Sequence, residues 1–360
     1  MPQFFSTEHT RVLEEAIREL ETDPNEYIGA RYMPAVDVPA SMVYVDIWES
    51  RGGLVKEHTL GTDPQSAPKR QFRTMSFSSG AYKEFIRFNE ADILRLRELG
   101  LNDQSKRGIR QHLNENVLTL NNRIESRIEL LRWQAMLNGY FVYDGKVVDF
   151  GVPALNQVAP AVPWGESAGG SFTTAIPEAD PLRDLLWWLT GGYAPFRKYK
   201  VTRIVMNPNT ERMFLENPKV RALIGPRFAA ADFAGLTLKN VAAFLMPGLP
   251  DIEIYNGWYQ SESEDPITGK ITVGDAVYFI PDGKIFFEVK LPGGANTVGD
   301  FQMSLNLSNG SIDNPATGKF VIVKEHIEDK PENPYIDVIG GVYGGPRLKR
   351  GFDLLSATVI

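Results

Sequence analysis

The stretch from Asp103 to Asn138 constrains this chain more than any other. Leu113, Val117, Leu120, Ile124, Ile128, Leu131 and Ala135 recur at steps of four and three, with Asn, Glu, Arg and Gln between them and no proline in the run. That spacing predicts one continuous helix with a single apolar stripe. At a rise of 1.5 Å per residue it spans roughly 50 Å, several times the common helix length, so it can support segments far apart in the molecule. Asp103 or Ser105 can cap its start, and Gly139 stands where a left-handed C-cap falls. Arg127, Arg132 and Trp133 interrupt the flanks, so the pattern fits a helix laid along a sheet better than a coiled coil. Leu120 is expected in the packed seam and Asn121, one residue on, about 100° away from it.

The rest of the chain must supply that sheet. With 360 residues, 43% of them hydrophobic, there is material for one elaborate domain or two interleaved ones. The absence of cysteine excludes disulfides, thiolate nucleophiles and cysteine-built zinc sites. No basic-then-apolar leader opens the sequence and no apolar run approaches the roughly 20 residues that cross a bilayer, so a soluble product without a membrane partner is expected. A formal charge of -7 is the wrong sign for tight, phosphate-neutralising binding of nucleic acid, though a surface can still lie beside it. The basic clusters Lys69 and Arg70, Lys198 and Lys200, and Arg347, Lys349 and Arg350 are short and read as solvated or subunit-contacting patches.

Residues 1–26 carry Glu8, Glu14, Glu15, Glu19, Glu21, Asp23 and Glu26 against Arg11 and Arg18. Val12, Leu13, Ala16, Ile17 and Leu20 form a narrow stripe, so an acidic amphipathic helix ending at Asp23-Pro24 is expected to dock on another subunit or protein. MVYVDIWE, from Met42, is a strand; a polar run rich in Gly, Pro and Ser follows, and extended structure returns at KEFIRF, residues 83 to 88. A long loop between strand-like arms needs a function or a partner. EADILRLREL reads as a brief helix, and Tyr140–Tyr143 and Val147–Phe150 flank Asp144-Gly145, a two-residue hairpin signal. Residues 151–177 read as a connector with few apolar anchors.

A second compact region opens with the helix PLRDLLWWL, then the strand VTRIVM and a helix that Asn207 or Asn209 can cap and Pro218 interrupts. The adjacent Trp187 and Trp188 diverge on a helix: they fill two neighbouring core pockets, or one faces a different element or subunit. Strands follow at residues 252 to 256, 276 to 280 and 284 to 290, with a turn at Pro281-Asp282-Gly283-Lys284. The chain returns to strand at 319 to 325, passes a hinge at DKPENP, and ends in a short strand at 336 to 339 and a Gly-rich basic segment. The class is α+β.

No chemistry converges. His9, His58, His112 and His326 lie in four different elements without metal-ligand spacing. The glycine and lysine pairs 318–319 and 269–270, and the GGANTVG run at 293 to 299, all fail the phosphate-loop pattern. Glu262 with Glu264, and Asp313 near Glu325, read as solvated carboxylates. No catalytic, cofactor-binding or metal-ligating residue is assigned, no cofactor is expected, and the chain reads as a structural protein and not an enzyme.

The stretches IGARYMPAVDVPASMVYVDIWESRGG, LLRWQAMLNGYFVYDGKVVDFG, PLRDLLWWL, VTRIVMNPNTERMF and GKIFFEVK, in that order and spacing, resemble the major capsid proteins of tailed bacteriophages with the HK97-type fold, specifically the family of the lambda-like major head protein. The resemblance covers essentially the whole chain. It implies an N-terminal arm at 1–28, the start of a peripheral domain at 29–43, an extended loop at 44–82, a peripheral domain at 83–179 with its spine helix at 103–138, an axial domain at 180–315, a return to the peripheral sheet at 316–330 and a C-terminal tail at 331–360. It also implies pentamers and hexamers closing into an icosahedral shell around double-stranded DNA, assembled in the host cytoplasm. Scaffold and portal proteins are the implied partners, with a decoration protein in some lambda-like shells; no crosslink is assigned to Lys56 or Lys69. The alternatives are an encapsulin-like compartment shell, told apart by enzyme cargo; a tail or baseplate protein, by rings or tubes; and a metal-dependent hydrolase, by three converging carboxylates.

Overall fold

The computed structural model describes residues 27–48, 72–91, 103–168, 171–224, 238, 250–264, 271–290, 297–306, 316–326 and 335–360. In the long helix, side chains are described from residue 115 onward. The acidic segment 1–26, the loop residues 49–71, most of the expected helix after Asn89 and the DKPENP hinge lie outside these ranges.

Two five-stranded sheets organise the described residues. In the first, the strand Tyr335–Arg347 is central. Along one edge it pairs antiparallel with Gly80–Asn89, and along the other with Lys319–His326 and then Asp300–Met303, beyond which Ala35–Asp37 runs parallel. The long helix Asp103–Asn138 lies across this sheet, and its stripe holds: Val117, Leu120, Ile124, Ile128, Leu131 and Ala135 are all buried. Gly340 shows how closely they meet, because a Cβ there would stand 3.3 Å from Ile124 Cδ1 and 3.5 Å from Leu120 Cβ.

The second sheet runs in the order Asp251–Ile254, Val201–Met206, Lys284–Val289, Leu355–Thr358, Gln157–Val158. Both of its faces are covered. Ile204, Met206, Ile285 and Phe287 enter a core with the helices Pro181–Leu189, Pro208–Glu216 and Pro218–Ile224, while Val205 and Phe286 enter the core that holds the end of the long helix. Burial on both faces explains why the apolar triplets Ile204–Met206 and Ile285–Phe287 show no alternation. Five two-stranded pairs complete the description: three hairpins, Met42–Trp48 with Phe72–Ser78, Tyr140–Tyr143 with Lys146–Asp149, and Trp258–Glu264 with Ile271–Tyr278, and the shorter pairs Gly165–Ala168 with Ser171–Ala175 and Leu305–Asn306 with Ala316–Thr317. Asp144 and Gly145 take φ of 50° and 67°, the pair of positive angles a two-residue hairpin turn of this type requires.

Three expectations need correction. Residues 151–177 are not a bare connector: Gln157–Val158 adds an edge strand, and Trp164 is fully buried with its N–H on Val359 O. Backbone edge pairing leaves little trace in side-chain pattern, and one tryptophan suffices as the anchor. Within the expected C-terminal tail, residues 335–360 are built into the fold, since 335–347 is the central strand of one sheet and 355–358 an inner strand of the other. The glycines there mark close contact: a Cβ on Gly341 would lie 2.7 Å from Tyr82 O and 2.8 Å from the Phe320 ring. Asn121 is buried, not outward, because the covered face of the helix is wide enough to reach Lys319, whose Nζ lies 3.4 Å from Asn121 Oδ1 and also pairs with Glu125.

Candidate assembly site

The helix ends that flank the second sheet are fixed locally. Asp180 accepts the Arg183 N–H at 3.1 Å, and Asn207 Oδ1 accepts the Thr210 N–H at 2.7 Å, each with proline as the first helical residue. Asn207 and Asn209 also both donate to Asp282, so the expected turn at 281–284 is tied to the helix start.

Where the two sheets meet, a buried carboxylate holds three segments together. Glu129 Oε1 accepts from Gly29 N at 2.8 Å, Trp133 Nε1 at 2.7 Å and Tyr255 OH at 3.2 Å, and Oε2 lies 3.4 Å from Arg132 Nη1. Gly29 must be glycine here, since a Cβ would stand 2.7 Å from both carboxylate oxygens. Burial pushes the Glu129 carboxyl above its usual range against the opposing pull of Arg132 and the three donors. Arg132 is itself buried, its guanidinium 5.9 Å from the Phe301 ring centroid and its Nε without a partner. The signal that could have found this cluster is the density of apolar residues around the helix from Ile128 to Leu137, which leaves no solvent face for Glu129 or Arg132.

Six residues earlier the same helix makes an exposed clamp. Arg123 holds Glu84 with Nε at 2.5 Å and Nη2 at 3.1 Å, and Glu262 with Nη1 at 2.6 Å and Nη2 at 2.8 Å. One guanidinium therefore joins the helix to the first sheet and to the Trp258–Glu264 hairpin. Hydrogen bonding to Arg123 holds the Glu262 carboxyl below its ordinary value. Nothing in the sequence joins residues 84, 123 and 262, so reading Glu262 as a solvated carboxylate missed the pair.

The hairpins present apolar groups to solvent. Val43, Val45 and Ile47 alternate into the core while Met42, Tyr44 and Phe72 on the other side stay exposed. Tyr140, Val142 and Val147 share the outer face of the second hairpin, and Trp258, Val273 and Val277 are exposed on the third. The tryptophan pair divides: Trp188 is 4% exposed and stacks on Trp164 at 6.1 Å, whereas Trp187 is 58% exposed and lies over Gly192. Beside the third hairpin a shallow cleft of about 950 Å³ is lined by Arg31, Arg203, Glu253, Ile254, Trp258 and Tyr278, with Glu253 bound by both arginines. These are exposed apolar surfaces of the described residues.

Of the four histidines only His326 has a described side chain; it stacks on Tyr335 at 4.6 Å, with Nε2 3.9 Å from Asp337. Arg347 and Lys349, expected in a surface patch, both bind buried Asp300 at 2.5 Å. Lys319 of the failed phosphate loop pairs with Glu125. Among the described residues no three metal-ligating side chains cluster, and no helix is long and apolar enough to cross a membrane.

This α+β fold is related to those of phage capsid proteins. A prophage protein from E. coli CFT073 given a capsid assignment matches over 98% of this chain and 99% of its own, with a TM-score of 0.54 and 14% identity. A phage-related protein from Bordetella bronchiseptica RB50 covers 97% and 96% at a TM-score of 0.46 and 9% identity, and the mature capsid of bacteriophage PhiM1 covers 92% and 86% at 0.42 and 10%; neither is close enough to carry an argument. The family described as Phage major capsid protein E matches residues 9–305. The chain belongs to that family and is a capsid-type shell protein.

Proposed function

We propose that this chain is the lambda-like major head subunit of an HK97-type shell, forming pentamers and hexamers that close into an icosahedral particle around double-stranded DNA. On this reading residues 1–28 are the arm, 44–82 the extended loop, 29–43 and 83–179 the peripheral domain with the helix 103–138 as its spine, 180–315 the axial domain, 316–330 the return to the peripheral sheet and 331–360 the C-terminal segment, of which 335–347 and 355–358 are strands of the two sheets. Scaffold, portal and, in a decorated shell, a decoration protein are its partners, and assembly takes place in the host cytoplasm.

The observation that carries the reading is the Met42–Trp48/Phe72–Ser78 hairpin. One face is locked in the core by Val43, Val45 and Ile47, the other is left bare, and its far end, where Trp48 and Phe72 meet at 5.1 Å, leads into residues 49–71. A rigid base with an uncovered face supports a loop that finds its contacts on a neighbouring copy, where many weak repeats add to one stable particle. Shortening residues 59 to 71 is expected to leave the melting of dissociated subunits within about 1 kcal/mol of the parent while sharply lowering the denaturant needed to open shells. Shells as resistant as the parent's would remove the loop from the intersubunit contacts. Particles isolated with enzyme cargo instead of DNA would point to a cellular compartment.

A further inference from the structure

The first sheet has two faces, and the long helix covers only one. Gly340 points at Leu120 and Ile124; Gly341 points the other way, at Phe320 and Lys83. Register then sets out the open face in three rows: Lys83, Gly341 and Phe320; Phe85, Ile339 and Ile322; Arg87, Asp337 and Lys324. Side chains directly opposite on paired strands share a face. The face has a cationic row at each side and an apolar row between them, with Phe85 59% exposed. Lys83 Nζ stands 4.7 Å from the Tyr343 centroid, and the Arg87 guanidinium 4.1 Å from that of Tyr335 and 5.2 Å from that of Phe85. Asp337 is the one acid in these rows, and Arg87 takes it at 2.8 and 3.0 Å. No described carboxylate pairs with Lys83 or Lys324. The chain as a whole carries -7, so this face runs against its own net charge.

We propose that this open face receives residues 1–26 of a second copy of the chain. The inference rests on the arm reading above and deepens it by naming the surface. Two complementarities select the occupant: the segment has seven carboxylates against two arginines for the lysine rows, and Val12, Leu13, Ala16, Ile17 and Leu20 for the Phe85, Ile339 and Ile322 row. A DNA backbone would satisfy the lysines but leave the apolar row in water. The chain's own arm leaves from the helix side, where the Tyr27 hydroxyl lies 3.1 Å from Ser126 Oγ, so it would have to cross the sheet edge to reach this face, and the test below separates the two cases.

The natural chain has no cysteine, so single substitutions report contacts cleanly. Full-length chains carrying Ile17→Cys and Phe85→Cys are mixed, oxidised and digested, and the disulfide-linked 17–85 peptide is quantified by mass spectrometry. Leu118→Cys, exposed on the helix side, is the control. The 17–85 link is expected between separate chains, at least about fivefold over 17–118; Lys83→Glu with Lys324→Glu in the Phe85→Cys chain should cut it by a similar factor, and Glu14→Lys with Glu15→Lys in the partner chain should restore it. Equal yields at 85 and 118 overturn the proposal, and so does a link confined to one molecule when both cysteines are in the same chain. Charge reversal that weakens retention of a DNA duplex, where the 17–85 link is no stronger than 17–118, overturns the proposal and assigns the face to nucleic acid instead. A chain that assembles without the 17–85 link leaves the shell reading intact and removes this one; a chain that never associates removes both.

Discussion

The long helix lives in two environments, and the contrast explains most of its sequence. From Glu115 to Arg127 it is covered on one side: Val117, Leu120, Asn121 and Ile124 are buried, while Leu118, Thr119, Asn122, Arg123 and Arg127 face outward. From Ile128 to Leu137 it is wrapped by both sheets, so that Glu129, Arg132, Trp133, Met136 and Leu137 are all buried. In the one-sided half a charge can reach across solvent to a partner, as Arg123 does. In the wrapped half polar atoms depend on the protein itself: Glu129 is met by a backbone N–H, an indole, a phenol and a guanidinium, while Arg132 Nε is left without a partner. Water is the alternative partner for the first group and is missing for the second, so comparable losses should cost very different amounts.

Placing a charge in the shared seam tests this most severely. Leu120→Asp removes a buried side chain facing Gly340 and strands a carboxylate there, and should destabilise the subunit by about 4 kcal/mol or more in denaturant melts. Asn121→Asp, also buried but facing Lys319 Nζ, should cost less than about 1 kcal/mol, because the new charge meets a cation. Equal losses would mean that the flank toward Lys319 is as dry and unpaired as the seam.

In the wrapped half, Glu129→Ala leaves Gly29 N–H, Trp133 Nε1 and Arg132 without their acceptor and should cost about 3 kcal/mol. Glu129→Gln separates charge from hydrogen bonding. The folded-state pKa is raised, so the native state holds the proton more tightly; this contribution is full below the unfolded value of 4.5 and is lost as pH rises through the folded value. The glutamine variant should therefore lose less stability than the parent as pH is raised from 4.5, and parallel curves would show that ionisation of Glu129 is not what varies.

The exposed clamp should give the smallest change. Arg123→Ala is expected to cost about 1 kcal/mol or less, yet to speed amide exchange in Trp258–Glu264 and Ile271–Tyr278 selectively. The Glu262 pKa is lowered, so its contribution is present above 4.5 and lost as pH falls through the folded value. Acid should thus loosen the hairpin in the parent and change the variant little; identical acid responses would mean that the clamp does not hold it.

Legibility followed the same division. A stripe facing one sheet repeats every three or four residues, so Val117 to Ala135 could be read; a turn with Asp144-Gly145 and the cap at Asn207 carry local signals that tertiary packing does not change. The wrapped half hides its polar residues, because Glu129 and Arg132 are ordinary surface types until both sheets are in place. The central strand was missed past Ile339 because its glycines serve close packing by Leu120, Ile124 and Phe320, which single-sequence strand preference penalises. The two-residue edge strand Gln157–Val158 is too short to show an alternating pattern, although Val158 is buried and Gln157 Nε2 donates to Asn138 O at 2.7 Å. Helical geometry left two outcomes open for Trp187 and Trp188, and the structure takes the one in which Trp187 faces outward, whereas the Arg123 clamp joins residues 84, 123 and 262 through the fold only.

The claim that binds these parts together is that the bare hairpin faces, Trp187 and the open sheet are covered by other copies. Electron microscopy with mass photometry of the purified full-length chain, across a range of salt and with scaffold supplied, tests it directly. Closed icosahedral particles, or free pentamers and hexamers where the scaffold is withheld, are the predicted result; compact monomers under every condition, or open tubes and rings, would contradict it.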